Sequence, residues 1–157
     1  MKKSYTGLII LIILIALAGS FISSYNNMVK SGEEVDAKYS DIDVQLKRRA
    51  DLIPNLISTV KGYMAHEEKI INSITDARNN LVNAKTISEK AKANDELTQA
   101  LSSFNVIVEN YPDLKANTNF ITLQDELAGT ENRIANARKS YNDAVKNYNQ
   151  MISVFPS

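Results

Sequence analysis

Residues 46–56, LKRRADLIPNL, set Lys47, Arg48 and Arg49 side by side and bring Asp51 and Pro54 within two turns of them. Three adjacent cations can meet lipid headgroups, a partner's carboxylates or an internal acid. Helical spacing separates these uses. Arg49 falls on an apolar stripe between Leu46 and Ile53, whereas Lys47 and Arg48 fall off it. Asp51, three residues from Arg48, offers a local ion pair. Arg49 needs more. Its stem aims at a helix seam, where an unpaired charge is costly, so a carboxylate or helix-end carbonyls must meet it. Glu109, Glu126 and Glu131 all flank seam positions on later segments, and spacing does not choose among them.

The cluster begins 25 residues past Ile22, the last residue of an apolar run. That is roughly 37 Å along a straight helix, several Debye lengths from a headgroup layer. Basic segments attract anionic lipid only when close to it. The triplet, with Asp51 and Pro54, therefore reads as a structural device or a protein-partner surface.

The rest of the chain carries little that could do chemistry. His66, the sole histidine, lies in AHEEK, but a zinc-binding HExxH needs a second histidine where Ile70 stands. It reads as a solvated helical residue. The chain has no cysteine, which removes thiolate ligands and thiol nucleophiles. No signature accompanies any serine. The five glycines (7, 19, 32, 62 and 129) are too scattered to cradle phosphate. The pairs Glu33-Glu34 and Glu67-Glu68 are adjacent and point apart on a helix. Eighteen basic and eighteen acidic residues cancel, leaving no global field for nucleic acid. No catalytic, cofactor-binding or metal-binding residue emerges, and no small-molecule substrate is indicated.

The elements that carry these residues are helical. From Lys3 to Lys30 no charge intervenes, and GLIILIILIALAGSFI (7–22) is almost wholly apolar. Tyr5 and Tyr25 are twenty residues apart, roughly 30 Å along a helix and about the thickness of a bilayer core. This spacing predicts a single-pass span over residues 5–25. The rival is a signal peptide with Lys2 and Lys3 as its basic region and Ala16-Leu17-Ala18 as its cleavage site. The apolar run resumes with Phe21 and Ile22, which favours an uncleaved anchor.

Beyond it, Val35, Tyr39, Ile42, Leu46, Arg49, Ile53, Leu56, Val60 and Tyr63 alternate steps of four and three, and Ile70, Ile74, Ala77 and Leu81 extend the stripe. The register holds through Pro54, so the spacing predicts one helix kinked near Ala50. NAKTISEKAKAND (83–95) reads as a loop leading into a polar first turn. Leu97, Leu101, Phe104, Val108 and Tyr111 form the next stripe. YPDLKANTN (111–119) stops it, with Asn117 or Asn119 able to cap the next helix. Phe120 to Ile152 carries the last stripe, in which Tyr141 and Tyr148 fall as core residues with hydroxyls at the bundle edge. No strand pattern occurs. The expectation is an all-α protein: an N-terminal anchor over 1–25, or a signal peptide, then an antiparallel four-helix bundle of long helices over 26–157.

LKRRADLIPNLISTVKGYMAHE (46–67), YPDLKANTNFITLQDELAGTENRIANARKSYNDAVKNYN (111–149), YNNMVKSGEEVD (25–36) and FP (155–156) resemble the LemA family. The resemblance implies a bacterial membrane-anchored protein with a four-helix bundle, and no defined reaction. Members of that family commonly continue past the FP pair, and some carry a lipobox cysteine where this chain has Ser20.

The function expected is a non-enzymatic cell-envelope scaffold or interaction module that binds other proteins. The alternative is a regulator of, or accessory subunit to, a membrane enzyme such as a protease. Lys2, Lys3 and the amino terminus precede the anchor, and only Lys30 and Lys38 follow closely. This asymmetry predicts an extracytoplasmic bundle.

Overall fold

The computed structural model describes residues 2–154, the side chains of residues 2–4 and 6 excepted. The pair Phe155-Pro156 lies outside the described residues. Five helices follow in order: α1 (Lys2–Val60), α2 (Glu68–Asn83), α3 (Ile87–Val108), α4 (Pro112–Lys115) and α5 (Thr118–Ser153). The chain divides into two compact units, Asp41–Asn136 and Met1–Ser40 with Ala137–Ser157.

Asp41–Asn136 is a four-helix bundle built from the C-terminal third of α1, then α2, α3 and the first half of α5. Short connections make consecutive helices antiparallel. Its core follows the apolar stripes: Ile53, Leu56, Leu97 and Phe104 are fully buried, with Ile74 and Leu127 close behind. Phe104 and Phe120 meet edge to face with ring centroids 6.2 Å apart, a favourable aromatic geometry that joins α3 to α5.

Three sequence expectations need correction here. The first long stripe breaks at residues 61–67, a turn containing Gly62, and not at Pro54. The turn resets the phase. Met64 becomes fully buried, while Tyr63, which continues the stripe on paper, is 40% exposed. His66 accordingly lies in an exposed turn and is not helical. The polar stretch 83–95 is nearly all helix, with α3 starting at Ile87. Its start is fixed by a capping box: Glu89 N–H donates to Thr86 Oγ1 at 3.2 Å, while the Glu89 carboxylate accepts from Thr86 N–H at 3.0 Å.

Asn117 caps α5, its Oδ1 accepting from Phe120 N–H at 3.0 Å. At the preceding turn, Tyr111 leaves helical geometry before Pro112, which opens the short α4.

In the other unit, the stretches of α1 and α5 run side by side in opposite directions. Tyr39 and Tyr141 rings stand 6.2 Å apart. Gly32 faces Tyr148 closely enough that a Cβ there would sit 3.5 Å from the Tyr148 ring. Tyr141 and Tyr148 are half-buried in this unit and are not in the core where their spacing places them. Toward its N-terminus α1 becomes apolar all round. Leu8, Ile12, Ile15 and Ile22 are each more than half exposed, and the most apolar window, of mean hydropathy 2.5, has no residue buried by protein. A helix apolar on every face and uncovered by protein requires an apolar medium, and α1 anchors the chain in a membrane.

Candidate functional site

Pro54 sits inside α1 on an exposed turn. It has no N–H for the carbonyl of Ala50, four residues back. Arg78 from α2 supplies a substitute, its Nε donating to Ala50 O at 3.4 Å. The helix therefore continues through proline with its freed carbonyl met from a neighbouring helix.

One turn earlier, the basic triplet divides as its spacing demands. Arg49 is 2% exposed and is the largest fully buried side chain of the described residues. Its Nη1 donates to Asn94 Oδ1 at 2.7 Å and to Thr98 Oγ1 at 3.0 Å, both on α3. Its Nη2 is ion-paired to Glu131 on α5. The seam charge thus finds Glu131 and neither Glu126 nor Glu109. Glu109 pairs with Lys115 at 2.7 Å. Thr98 Oγ1 also lies 3.0 Å from Asn94 O and 3.4 Å from Glu131 Oε1, so the hydroxyl bridges the cluster. Arg49 Nε has no acceptor among the described residues.

Burial pushes the Arg49 pKa down, and Glu131 pulls it back toward its ordinary value. Arginine titrates so far above neutrality that the group stays cationic. A buried guanidinium bonded to three side chains on two helices is a cross-link. It fixes how α1, α3 and α5 meet, and it holds no proton ready for transfer near neutral pH.

Lys47 and Arg48 point outward. Arg48 reaches Glu126 at 3.6 Å with both side chains about half exposed, so the local pair with Asp51 expected from sequence is replaced by a cross-helix one. Lys47 and Asp51 border a cleft of about 270 Å³ with Leu46, Ala50, Arg78 and Lys90. Lys90, on its rim, is ion-paired to Asp43.

A larger and shallower groove of about 610 Å³ runs between α2 and α3, with Asn72, Asp76, Asn80, Glu96, Gln99 and Ser103 along it. Its walls offer amide, hydroxyl and carboxylate groups. Sequence reasoning misses it because its α3 wall begins next to the stretch that reads as a loop. The motif TISE, a Ser/Thr-x-x-Glu capping signature, is the available signal.

At the far end of the bundle, Tyr111 donates to Glu67 at 2.9 Å, and Asn117 donates to Tyr63 at 3.1 Å. These bonds tie the 61–67 turn to the turn around α4. The bond to Glu67 holds the Tyr111 proton and raises its pKa. Among the described residues, no group of three or more His, Asp or Glu side chains could hold a metal ion.

The sequence profile of the LemA family matches residues 38–157. Magnetosome protein MamQ 2 of Paramagnetospirillum magneticum and magnetosome protein MamQ of Magnetospirillum gryphiswaldense are each 25% identical to the chain, aligned over 91% of it and 62% of their own length. Protein LemA of Metamycoplasma hominis is also 25% identical, over 86% of this chain and 62% of its own. The chain thus spans less than two thirds of the length of these relatives.

Proposed function

Because the chain belongs to the LemA family, we propose that it is a non-enzymatic scaffold of the bacterial cell envelope, holding a helical binding module at the membrane surface. The observation that carries this reading is the composition of α1. One unbroken helix contains both the uncovered apolar segment and the first helix of the four-helix bundle. A partner bound to the bundle is thereby confined to the membrane that holds α1.

The side chains offered to a partner are those left outside after the internal cross-link is made. Lys47, Arg48 and Asp51 stand on the outer side of α1, and the amide-rich groove lies between α2 and α3. Mixed charges and amides suit a polar protein surface, and they do not converge on a reacting centre. Two of the relatives are named for a structure, the magnetosome, and not for a reaction.

The reading is tested in native membranes with a photo-crosslinking residue at Asn72 or at Lys47 in the full chain. Discrete adducts with one envelope protein, lost when the groove is filled by Ser103→Trp or when Lys47 is reversed to Glu, support it. Capture of a membrane protease whose activity changes with the adduct would favour the regulatory alternative. Turnover intrinsic to the chain, abolished by one point substitution, would overturn it.

A further inference from the structure

The antiparallel pairing of α1 with α5 has a fixed register. Gly32 faces Tyr148 and Tyr39 faces Tyr141, so seven residues along one helix match seven back along the other. Continuing that register, Ile152 is level with Met28 and Ser153, the last residue of α5, with Asn27. The half-buried face of α1 supports the extension, since it runs through Tyr39, Val35 and Gly32 to Met28. Ser153 then lies five residues, about 7.5 Å along the helix, from the level of Ile22.

Two further observations concern the same tip. Its apolar side chains are exposed to solvent: Val29 and Ile152 are each 42% exposed and Tyr25 52%. It is also free of formal side-chain charge, since none occurs from Ser4 to Val29 or from Asn147 to Val154. Tyrosine, asparagine, serine and aliphatic residues fill both helices there, a composition suited to the boundary between headgroups and acyl chains.

From register, exposure and missing charge together, we propose that the end of α5, residues 151–153, docks into the membrane interface beside α1 as a second, non-electrostatic membrane contact. In this unit α5 then ends at the bilayer that α1 crosses. The surface recognised is the interfacial layer itself. Lys30 is the single cation beside the tip, and the contact rests on apolar groups, so zwitterionic lipid suffices and neither anionic lipid nor low salt is needed.

This inference rests on α1 spanning the bilayer, and the experiment separates the two. The chain has no tryptophan and no cysteine, so single probes are clean. Full-length Ile152→Trp, Leu14→Trp and Val106→Trp are reconstituted in phosphatidylcholine vesicles, each with no brominated lipid, with lipids brominated near the headgroup end of the chains to probe Ile152, and with lipids brominated near the bilayer centre to probe Leu14. Leu14 lies in the apolar segment and Val106 is a 71% exposed residue of α3. The expected result is a blue-shifted, quenched emission for Ile152→Trp, unaltered by salt, with Val106→Trp unquenched.

Quenching at Leu14 but not at Ile152 would overturn the docking and leave the anchor intact. Loss of both would overturn the anchor itself. An Ile152→Trp blue shift that grows with protein-to-lipid ratio without bromine quenching would mean that a second copy covers the tip. Ile152→Cys gives an independent reading: slow labelling by a membrane-impermeant maleimide in vesicles, and fast labelling in detergent too short to cover the tip, are expected. Equal rates would overturn the proposal.

Discussion

Arg49 shows how far helical spacing reaches and where it stops. Its place on the stripe, four residues before Ile53, is enough to predict a buried cation that needs an acid. The choice of Glu131 was not legible, because three glutamates flank seam positions and only the relative rotation of α1 and α5 distinguishes them. Asn94 and Thr98 carry no signal of their own, since they belong to or border the stretch that reads as a loop. The pair is asymmetric: Arg49 is 2% exposed and Glu131 45%. Removing the guanidinium leaves Glu131 free to hydrate but strands the buried Asn94 amide and leaves a cavity. Arg49→Ala is therefore expected to cost about 2–4 kcal/mol, near the lower end for breaking a buried pair. Arg48→Ala removes only a half-exposed contact to Glu126 and should cost under about 1 kcal/mol. Denaturant melts of the two variants decide it, and equal small losses would mean that the Arg49 cluster contributes no net stability.

At the scale of elements, apolar periodicity found the helical segments but merged α1 with α2, and local chemistry decided where each helix begins and ends. The stripe ran without loss of register from Val60 toward Leu81, and this concealed the turn at 61–67. Gly62 was the one residue there able to flag it. Pro54 is different: the register holds through it and predicts a continuous helix, which α1 is, with Arg78 meeting the orphaned Ala50 carbonyl. The start of α3 rests on Glu89, whose carboxylate accepts from the N–H groups of Thr86 and Lys85 and is held below its ordinary pKa by them. A depressed carboxylate adds stability that is present above its unfolded-state pKa and is lost as pH falls through the folded value. Glu89→Gln keeps a neutral acceptor but not the charge. The wild type should thus exceed Glu89→Gln in stability at neutral pH, and the gap should close on acidification through the carboxylate range. Urea melts across that range test it, and a gap independent of pH would mean that the charge on Glu89 does not matter to the cap.

For the molecule as a whole, class and attachment were legible because both follow from long uniform patterns: stripes of three and four for the bundle, and an unbroken apolar run for the anchor. The grooves were not legible, because they arise where two polar faces fail to meet across a seam, and no single helix carries that information. Orientation in the membrane is a separate question that charge near the span addresses directly. Lys2, Lys3 and the amino terminus stand before it, against Lys30 and Lys38 within about 20 residues after it. The acids Glu33, Glu34 and Asp36 contribute little to that balance, and the triplet at 47–49 lies too far along to count. Three cations against two favour an inside N-terminus, and on that balance we propose that the bundle faces outward. Protease added to intact cells stripped of their wall should then remove the bundle and spare a short N-terminal fragment protected by lipid. A bundle that survives until the membrane is opened with detergent would reverse the orientation and turn the proposed partner surface toward the cytoplasm.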